Sequence, residues 1–227
     1  MSGSVIKLLA IILMTVDHVG AYLLQDQPAC TQPVFTFLGL DITVLSLMRG
    51  VGRMAFPLFA WLLVEGFIHT RNRFRYGLYL FLFALLSEIP FDLARTGQTD
   101  LTYQNVFFTL WLSYMALCVM QGWVADRFNK GIALLVIWVA VGVLRSDYGF
   151  SGFFFTMVMY YMHHCKVPKI LVGSYILPNS LLILPAGIPM YLYNGQRGFI
   201  KGTAFKLFFY LYYPLHLLVI HILQSKL

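Results

Sequence analysis

This sequence has few charged residues and no long polar segment. Asp, Glu, Lys and Arg make up 11% of its 227 residues, whereas about 25% is usual in a soluble domain. No polar stretch between the apolar runs exceeds about 15 residues, which is far too short for a separate soluble domain. The composition is instead 59% hydrophobic and 17% aromatic, with a mean hydropathy of +0.75. We therefore predict a polytopic membrane protein whose residues 1–227 form a single integral domain in the lipid bilayer.

The sequence also lacks the patterns of metal and nucleic-acid sites. Its three cysteines are scattered without metal-ligand spacing, so we expect free thiols and no metal. The net charge of +7 could indicate nucleic acid, but the bases lie in short loops without a basic face or a DNA-binding motif. We expect no nucleic-acid partner, because membrane topology explains the charge better.

The apolar runs predict an all-α fold, a polytopic transmembrane helix bundle in which some helices are broken or re-entrant. About eight runs (range 7–10) can cross or nearly cross a core about 30 Å thick. They are 6–24, 54–69, 76–94, 104–121, 131–145, 148–164, 170–192 and 203–223. A further run, 34–48, contains Asp41, which favours an interfacial or partly re-entrant helix.

The basic loops predict the orientation of the chain in the membrane. Arg71, Arg73 and Arg75 cluster between two spans, which places that loop, and with it the N-terminus, in the cytoplasm. Simple alternation then puts the later loop of Arg197, Lys201 and Lys206 outside, against the positive-inside rule. A re-entrant hairpin in 170–192, which contains three prolines, would return this loop to the cytoplasm. The sequence leaves both alternatives open.

Four ionisable residues fall at a similar depth inside predicted spans. Asp17 and His18 lie about 16–18 Å from Ile6 along a helix, and Glu88 and His216 are about 18 Å inside their own runs. A charged side chain near the bilayer centre costs roughly 2.5–3.5 kcal/mol, so such residues usually mark a reaction or transport path. We predict that these four form one interior site.

His18 is suited to act as a general base, because its ordinary pKa is about 6.5. Asp17 is an imperfect partner, since adjacent helical residues point about 100° apart, and Glu88 or another helix could orient the ring instead. A purely structural pair that bridges two helices is the alternative. For His216, a hydrogen bond with Tyr212 one turn earlier would be enough to satisfy both side chains. Prolines in SEIPFD and YYPLH free backbone carbonyls nearby, as in broken helices that line cavities.

The arginines offer candidate anion sites. Arg71, Arg73 and Arg75 could hold phosphate groups through their planar guanidinium forks, although topology and contact with anionic lipid would also explain them. Arg49 and Arg53 lie at i and i+4 on one helical face. This second pair could bind Glu65, Asp41 or a substrate anion.

Five stretches together resemble the TraX family, integral membrane proteins linked to N-terminal acetylation of conjugative pilin. They are IKLLAIILMTVDHVGAYL, RGVGRMAFPLFAWLLVEGFIHTRNRFRY, LLSEIPFDLA with QNVFFTL, YNGQRG and KLFFYLYYPLHLLVI. The family is similar in character to transmembrane acyltransferases that use acetyl-CoA and a membrane-embedded histidine. The resemblance implies an acetyl-CoA-dependent acyltransferase in the bacterial inner membrane.

On this interpretation His18 deprotonates an amine or hydroxyl acceptor, which then attacks the thioester. The acceptor could be a pilin N-terminus or a hydroxyl of a lipid, glycan or polymer. We expect the phosphates of acetyl-CoA at Arg71, Arg73, Arg75 and Arg197, and the oxyanion at Asn105, Tyr213 or an arginine. The rival hypothesis is a proton-coupled transporter or channel with a relay of Asp17, His18, Glu88 and His216. The lack of a visible inverted repeat argues against this rival.

Overall fold

The structure, a computed structural model, describes residues 1–37, 39–178, 183–200 and 202–226. The chain forms two compact units. We call residues 1–59, 90–98 and the described part of 179–227 the terminal unit, and residues 60–89 and 99–178 the central unit. The prediction of a single domain over 1–227 stays a prediction.

Helices account for most of the described chain. In sequence order they are α1 (Gly3–His18), α2 (Pro28–Thr31), α3 (Val44–Gly52), α4 (Ala55–His69), α5 (Arg73–Thr96), α6 (Val106–Cys118), α7 (Arg127–Leu144), α8 (Gly149–Tyr161), α9 (Lys166–Ile176), α10 (Gly187–Tyr191) and α11 (Thr203–Gln224). α1 continues as a π-helical turn, Val19–Leu23, and α6 as another, Val119–Trp123. A 3₁₀ turn, Leu184–Ala186, precedes α10.

Six helical stretches within the described residues are long and apolar enough to cross a membrane. They are Gly3–Leu23, Val44–His69, Arg73–Thr96, Val106–Trp123, Arg127–Leu144 and Ala204–Gln224. These stretches confirm a polytopic helical membrane protein and overlap six of the predicted spans. Of the other two predicted spans, 148–164 contains α8, whose 13 residues reach only about 20 Å. The run 170–192 is interrupted after α9, and part of it, 179–182, lies outside the described residues, so the span count of eight stays a prediction.

The segment 34–48 is not the interfacial helix that we expected. Strands β1 (Pro33–Phe37) and β2 (Leu40–Thr43) pair antiparallel, and the hydroxyl of Thr36 donates to Asp41 Oδ1 at 2.7 Å. Gly39 supplies the positive φ of the turn at +78°, and the β-branched and aromatic side chains around it favour strand over helix. Thr43 then forms a capping box with Ser46 and starts α3.

Two interior prolines do not break their helices. α5 runs through Pro90 and α11 runs through Pro214. A proline removes one hydrogen bond, and neighbouring helices can compensate for that loss in a membrane protein. The break occurs instead after α9, where the described chain leaves helical geometry at Leu177 and Pro178.

In the central unit, α6 packs against α7 and α8 around a small apolar core of Leu112, Ala116, Val141 and Phe153. α6 begins at Asn105, whose side chain accepts a hydrogen bond from the Phe107 amide. Most apolar side chains of α7 are exposed, as expected for a helix that faces lipid.

α1 and α11 run parallel in the terminal unit. Lys7 faces Phe209, Thr15 bonds to Tyr212, His18 bonds to His216, and the Tyr22 carbonyl accepts from Gln224, so contacting residues advance together along both helices.

The first turn of α1 also pairs with the loop before α11. The Gly3 amide donates to the Gln196 carbonyl at 2.8 Å, and the Ser4 amide donates to the Arg197 carbonyl at 2.9 Å. Arg197 in this loop and Lys206 in the first turn of α11 therefore lie at the same end of the unit as Lys7, which agrees with the hairpin alternative for 170–192. Lys201 lies outside the described residues.

Candidate functional site

The buried rings of His18 and His216 form the centre of the candidate site. α1 carries His18 just before its π-helical turn, and α11 carries His216 just after Pro214. His18 Nδ1 lies 2.6 Å from His216 Nε2, and the two rings are nearly coplanar, with their planes 8° apart and their centroids 4.9 Å apart. Each residue is 9% exposed. The two histidines, which we placed at similar depths from sequence, are therefore in direct contact within the terminal unit.

A backbone carbonyl fixes the direction of this hydrogen bond. His216 Nδ1 lies 2.8 Å from the Tyr212 carbonyl, which can only accept, so Nδ1 carries the proton. With both rings neutral, His216 Nε2 then accepts and His18 Nδ1 donates. This arrangement leaves the lone pair on His18 Nε2, which makes no hydrogen bond to a described residue. A free imidazole lone pair is what a general base requires.

Aromatic side chains enclose the two histidines. The Tyr212 ring stacks on His216 at 5.3 Å between centroids, and the Tyr213 ring presents its edge to both histidines. Tyr22 lies 5.6 Å from His18. The Thr15 hydroxyl donates to the Ile11 carbonyl, so the Tyr212 hydroxyl donates to Thr15. Tyr213, one of the residues that we expected at the oxyanion, thus borders both histidines. The sequence did not indicate that Tyr22 and Thr15 would lie beside them.

Asp17 forms an ion pair with Arg49 of α3. Arg49 Nη1 lies 2.7 Å from Asp17 Oδ2 and 3.3 Å from the Asp17 carbonyl. The helices come this close because position 52 is glycine: an added Cβ there would lie 2.5 Å from Asp17 Cα. Arg49 therefore pairs with Asp17, whereas we had expected Glu65 or Asp41. Arg53 caps the end of α3 and forms no ion pair with a described residue.

Gln224, at the end of α11, hydrogen-bonds to the ends of two other helical segments. Its Nε2 donates to the Tyr22 carbonyl at 2.9 Å and to the Ala94 carbonyl at 3.0 Å. The first acceptor belongs to the π-helical turn that follows His18, and such turns are frequent at functional sites. Sequence inspection missed Gln224, since a glutamine at the end of a span gives no periodic signal.

Glu88 lies in the central unit with Asn105. The Asn105 side chain donates to Glu88 Oε2 at 2.5 Å and to the Ala84 carbonyl at 2.8 Å. Its carbonyl oxygen accepts from the Phe107 amide, so both amide hydrogens and the oxygen are engaged. The predicted role of Asn105 at an oxyanion therefore loses its support, because no donor remains for it. We assign Asn105 to holding Glu88 and capping α6.

The loop arginines line an open depression of about 680 Å³ in the central unit. Its walls are Thr70, Arg71, Asn72, Arg73, Phe74 and Trp123. The Arg73 guanidinium lies 4.7 Å above the Phe67 ring, a cation–π contact that holds it in place. Arg75 lies outside this lining, and its amide donates to Asn72 Oδ1.

His69 contacts Glu65 one turn earlier on its own helix. Its Nδ1 lies 2.8 Å from the Glu65 carbonyl and 3.8 Å from a carboxylate oxygen of the same residue. Within the described residues, no three His, Cys, Asp or Glu side chains come together in a way that could hold a metal ion.

Comparison with known proteins identifies the family of this chain. The TraX protein family model matches residues 2–224. A curated relative in Dichelobacter nodosus, described as "Probable fimbrial assembly protein FimC, serogroup H1", is 28% identical over 244 residues, which cover 93% of this chain and 91% of the relative. No solved structure matches. Since the family model covers nearly the whole chain and the described helices can cross a bilayer several times, this multi-pass membrane protein belongs to the TraX family.

Proposed function

We propose that this protein is an acetyltransferase that moves an acetyl group from acetyl-CoA to the N-terminal amine of a pilin. The observation that carries the proposal is the fixed tautomer of the His18–His216 pair, which leaves a lone pair on His18 Nε2. The relative named as a fimbrial assembly protein supports a pilin as the acceptor. A bacterial inner-membrane location with a cytoplasmic N-terminus belongs to the same proposal.

The chemistry needs one base and one place for developing negative charge. The free amine attacks the thioester carbon, a C–N bond forms, and the carbonyl electron pair moves to oxygen while His18 Nε2 takes the amine proton. The oxyanion then collapses, the C–S bond breaks, and the leaving thiolate takes the proton from Nε2. His216 Nε2 accepts from His18 Nδ1 throughout and so stabilises the transient imidazolium.

The depression of the central unit, considered by itself, has the side chains of a nucleotide-phosphate site. Two guanidinium forks, Arg71 and Arg73, lie beside two aromatic rings, Phe74 and Trp123. Guanidinium forks match phosphate oxygens, and aromatic faces stack on nucleobases. Its volume of about 680 Å³ is within the range of small-molecule sites.

The proton-relay alternative has no observation that favours it. Asp17 forms an ion pair with Arg49, and Glu88 accepts from Asn105. A relay carrier has to exchange its proton with the next carrier, and these contacts engage the two carboxylates with Arg49 and Asn105.

The test is acetyl transfer by the purified protein in detergent, with acetyl-CoA and a peptide that has the free N-terminus of a pilin. Loss of a general base lowers turnover by about 10²–10⁴-fold, so we expect His18→Ala to do so. His221→Ala is the control, because it removes a histidine from α11, the helix of His216, without touching the ring pair. Wild-type turnover in His18→Ala would refute the base, and no transfer by the wild-type protein would refute the activity.

A further inference from the structure

The terminal unit contains a cluster of three cations that no proposed step uses. Arg197 lies in the loop that is hydrogen-bonded to Ser4 of α1, and Lys206 lies one turn before Phe209 of α11, the residue that Lys7 of α1 faces. Arg197 and Lys206 both repel the positive charge of the Lys7 ammonium. The Lys7 ammonium lies 5.9 Å from the centre of the Phe209 ring. None of the three forms an ion pair with a described residue. Like charges held together without a counter-charge favour the binding of an anion.

Hydrogen bonds hold the loop of Arg197 against α1. The Ser4 amide and hydroxyl both donate to the Arg197 carbonyl, at 2.9 and 2.7 Å, and the Ile200 amide donates to the Ser4 hydroxyl at 2.8 Å. Ser4 is one turn before Lys7 on α1. The backbone of Arg197 is therefore fixed one helical turn from Lys7.

The cluster and the histidine pair lie along the contact line between α1 and α11, which we call the α1–α11 seam. Lys7 and His18 are 11 residues apart, which is about three helical turns, so both point to one face of α1 about 16 Å apart. On α11 their partners are Phe209 and His216. The pantetheine arm that joins the phosphates of coenzyme A to its sulfur is roughly as long as an extended five-residue peptide, about 17 Å.

We infer that Lys7, Arg197 and Lys206 form a phosphate-binding site at the end of the α1–α11 seam. Its ligand is a phosphate group, supplied either by the acyl donor or by the headgroup of an anionic phospholipid. The first source rests on the proposed function and puts the phosphates next to the pantetheine arm here rather than at the depression of the central unit, because the arm length matches the Lys7–His18 separation. The second source does not depend on acetyl transfer.

Binding measurements on the purified full-length chain separate the two sources. The probes are coenzyme A, ADP, and lipid–detergent micelles that contain phosphatidylglycerol or, for comparison, phosphatidylcholine. We expect Lys7→Gln and Arg197→Gln each to weaken binding of coenzyme A by about 10–100-fold, the loss typical of one charge-assisted hydrogen bond. Lys7→Arg keeps the charge and should bind within a few-fold of the wild type. Lys226→Gln is the matched control, since it removes an exposed charge beyond the other end of α11.

Each outcome decides the inference. If only phosphatidylglycerol binding weakens in these variants, the site holds lipid phosphate. If no probe distinguishes Lys7→Gln and Arg197→Gln from the control, the site is refuted. Weakened binding without any acetyl transfer would retain this site and refute the proposed function. Normal transfer with an unchanged KM for acetyl-CoA, together with unchanged lipid binding, would refute the site alone.

Discussion

Replacing Gly52 with alanine tests the close approach of α1 and α3, on which the Asp17–Arg49 pair depends. The new Cβ would lie 2.5 Å from Asp17 Cα and 2.6 Å from Asp17 N, and it would also meet Asp17 Cβ. Ordinary contacts begin near 3.4 Å, so the helices must separate by roughly 1 Å, since backbone atoms cannot rotate away.

The expected loss follows from two opposing effects. Overpacking of a close helix contact costs about 1–3 kcal/mol, while alanine in place of glycine favours a helix by up to about 1 kcal/mol. The net loss of about 1–2 kcal/mol corresponds to a Tm lower by about 2–8 °C for a chain of this size. A displacement of about 1 Å at His18 also lowers turnover, by up to about 10²-fold.

Gly131→Ala is the matched control, because an added Cβ at this helical position of α7 meets no atom within 4 Å. It should leave Tm unchanged or raise it by a few degrees, since only the helix-propensity gain remains. The assay is thermal unfolding in detergent, followed by acetyl transfer. A Tm of Gly52→Ala equal to that of Gly131→Ala would refute the helix contact described here.

Three further substitutions test other parts of the structure. Asn105→Ala removes the α6 cap and the side-chain donors to Glu88 and to the Ala84 carbonyl, so thermal unfolding should show a loss of about 2–4 kcal/mol; an unchanged Tm would contradict these bonds. Gln224→Leu leaves two carbonyls without their donor and should lower stability by about 1–3 kcal/mol in the same assay. Arg73→Lys keeps its charge but loses the planar fork, so calorimetry should show ADP binding weakened about 5–10-fold; equal weakening in Arg75→Lys, outside the depression, would argue against a specific site.

The long apolar runs allowed the helical membrane fold to be predicted from sequence. Six of the predicted spans overlap helices that can cross a bilayer, because about 20 apolar residues in a row have few other stable structures. The run 34–48 was misread as helix, because an apolar run alone does not distinguish a short helix from a hairpin. Gly39 in the middle of that run was the local signal for a turn.

The candidate site was predictable in its depth but not in its pairing. Helical rise placed His18 and His216 at matching depths, and their rings meet. Asp17 also lies at this depth, yet its partner is Arg49, 32 positions away in the sequence. Depth along a helix follows from residue number alone, whereas the side on which a neighbouring helix packs depends on tertiary contacts that one sequence does not reveal.

The parallel packing of α1 and α11 determines the parity of membrane crossings. Two parallel spans enter the bilayer from the same side, so the chain between them must cross an odd number of times, and the total is odd. With both helices as full spans, we expect seven or nine crossings, and the number itself stays a prediction. We then expect the start of α1 and the end of α11 to face opposite compartments, so a reporter fused before Gly3 and one fused after Gln224 should report different sides of the membrane.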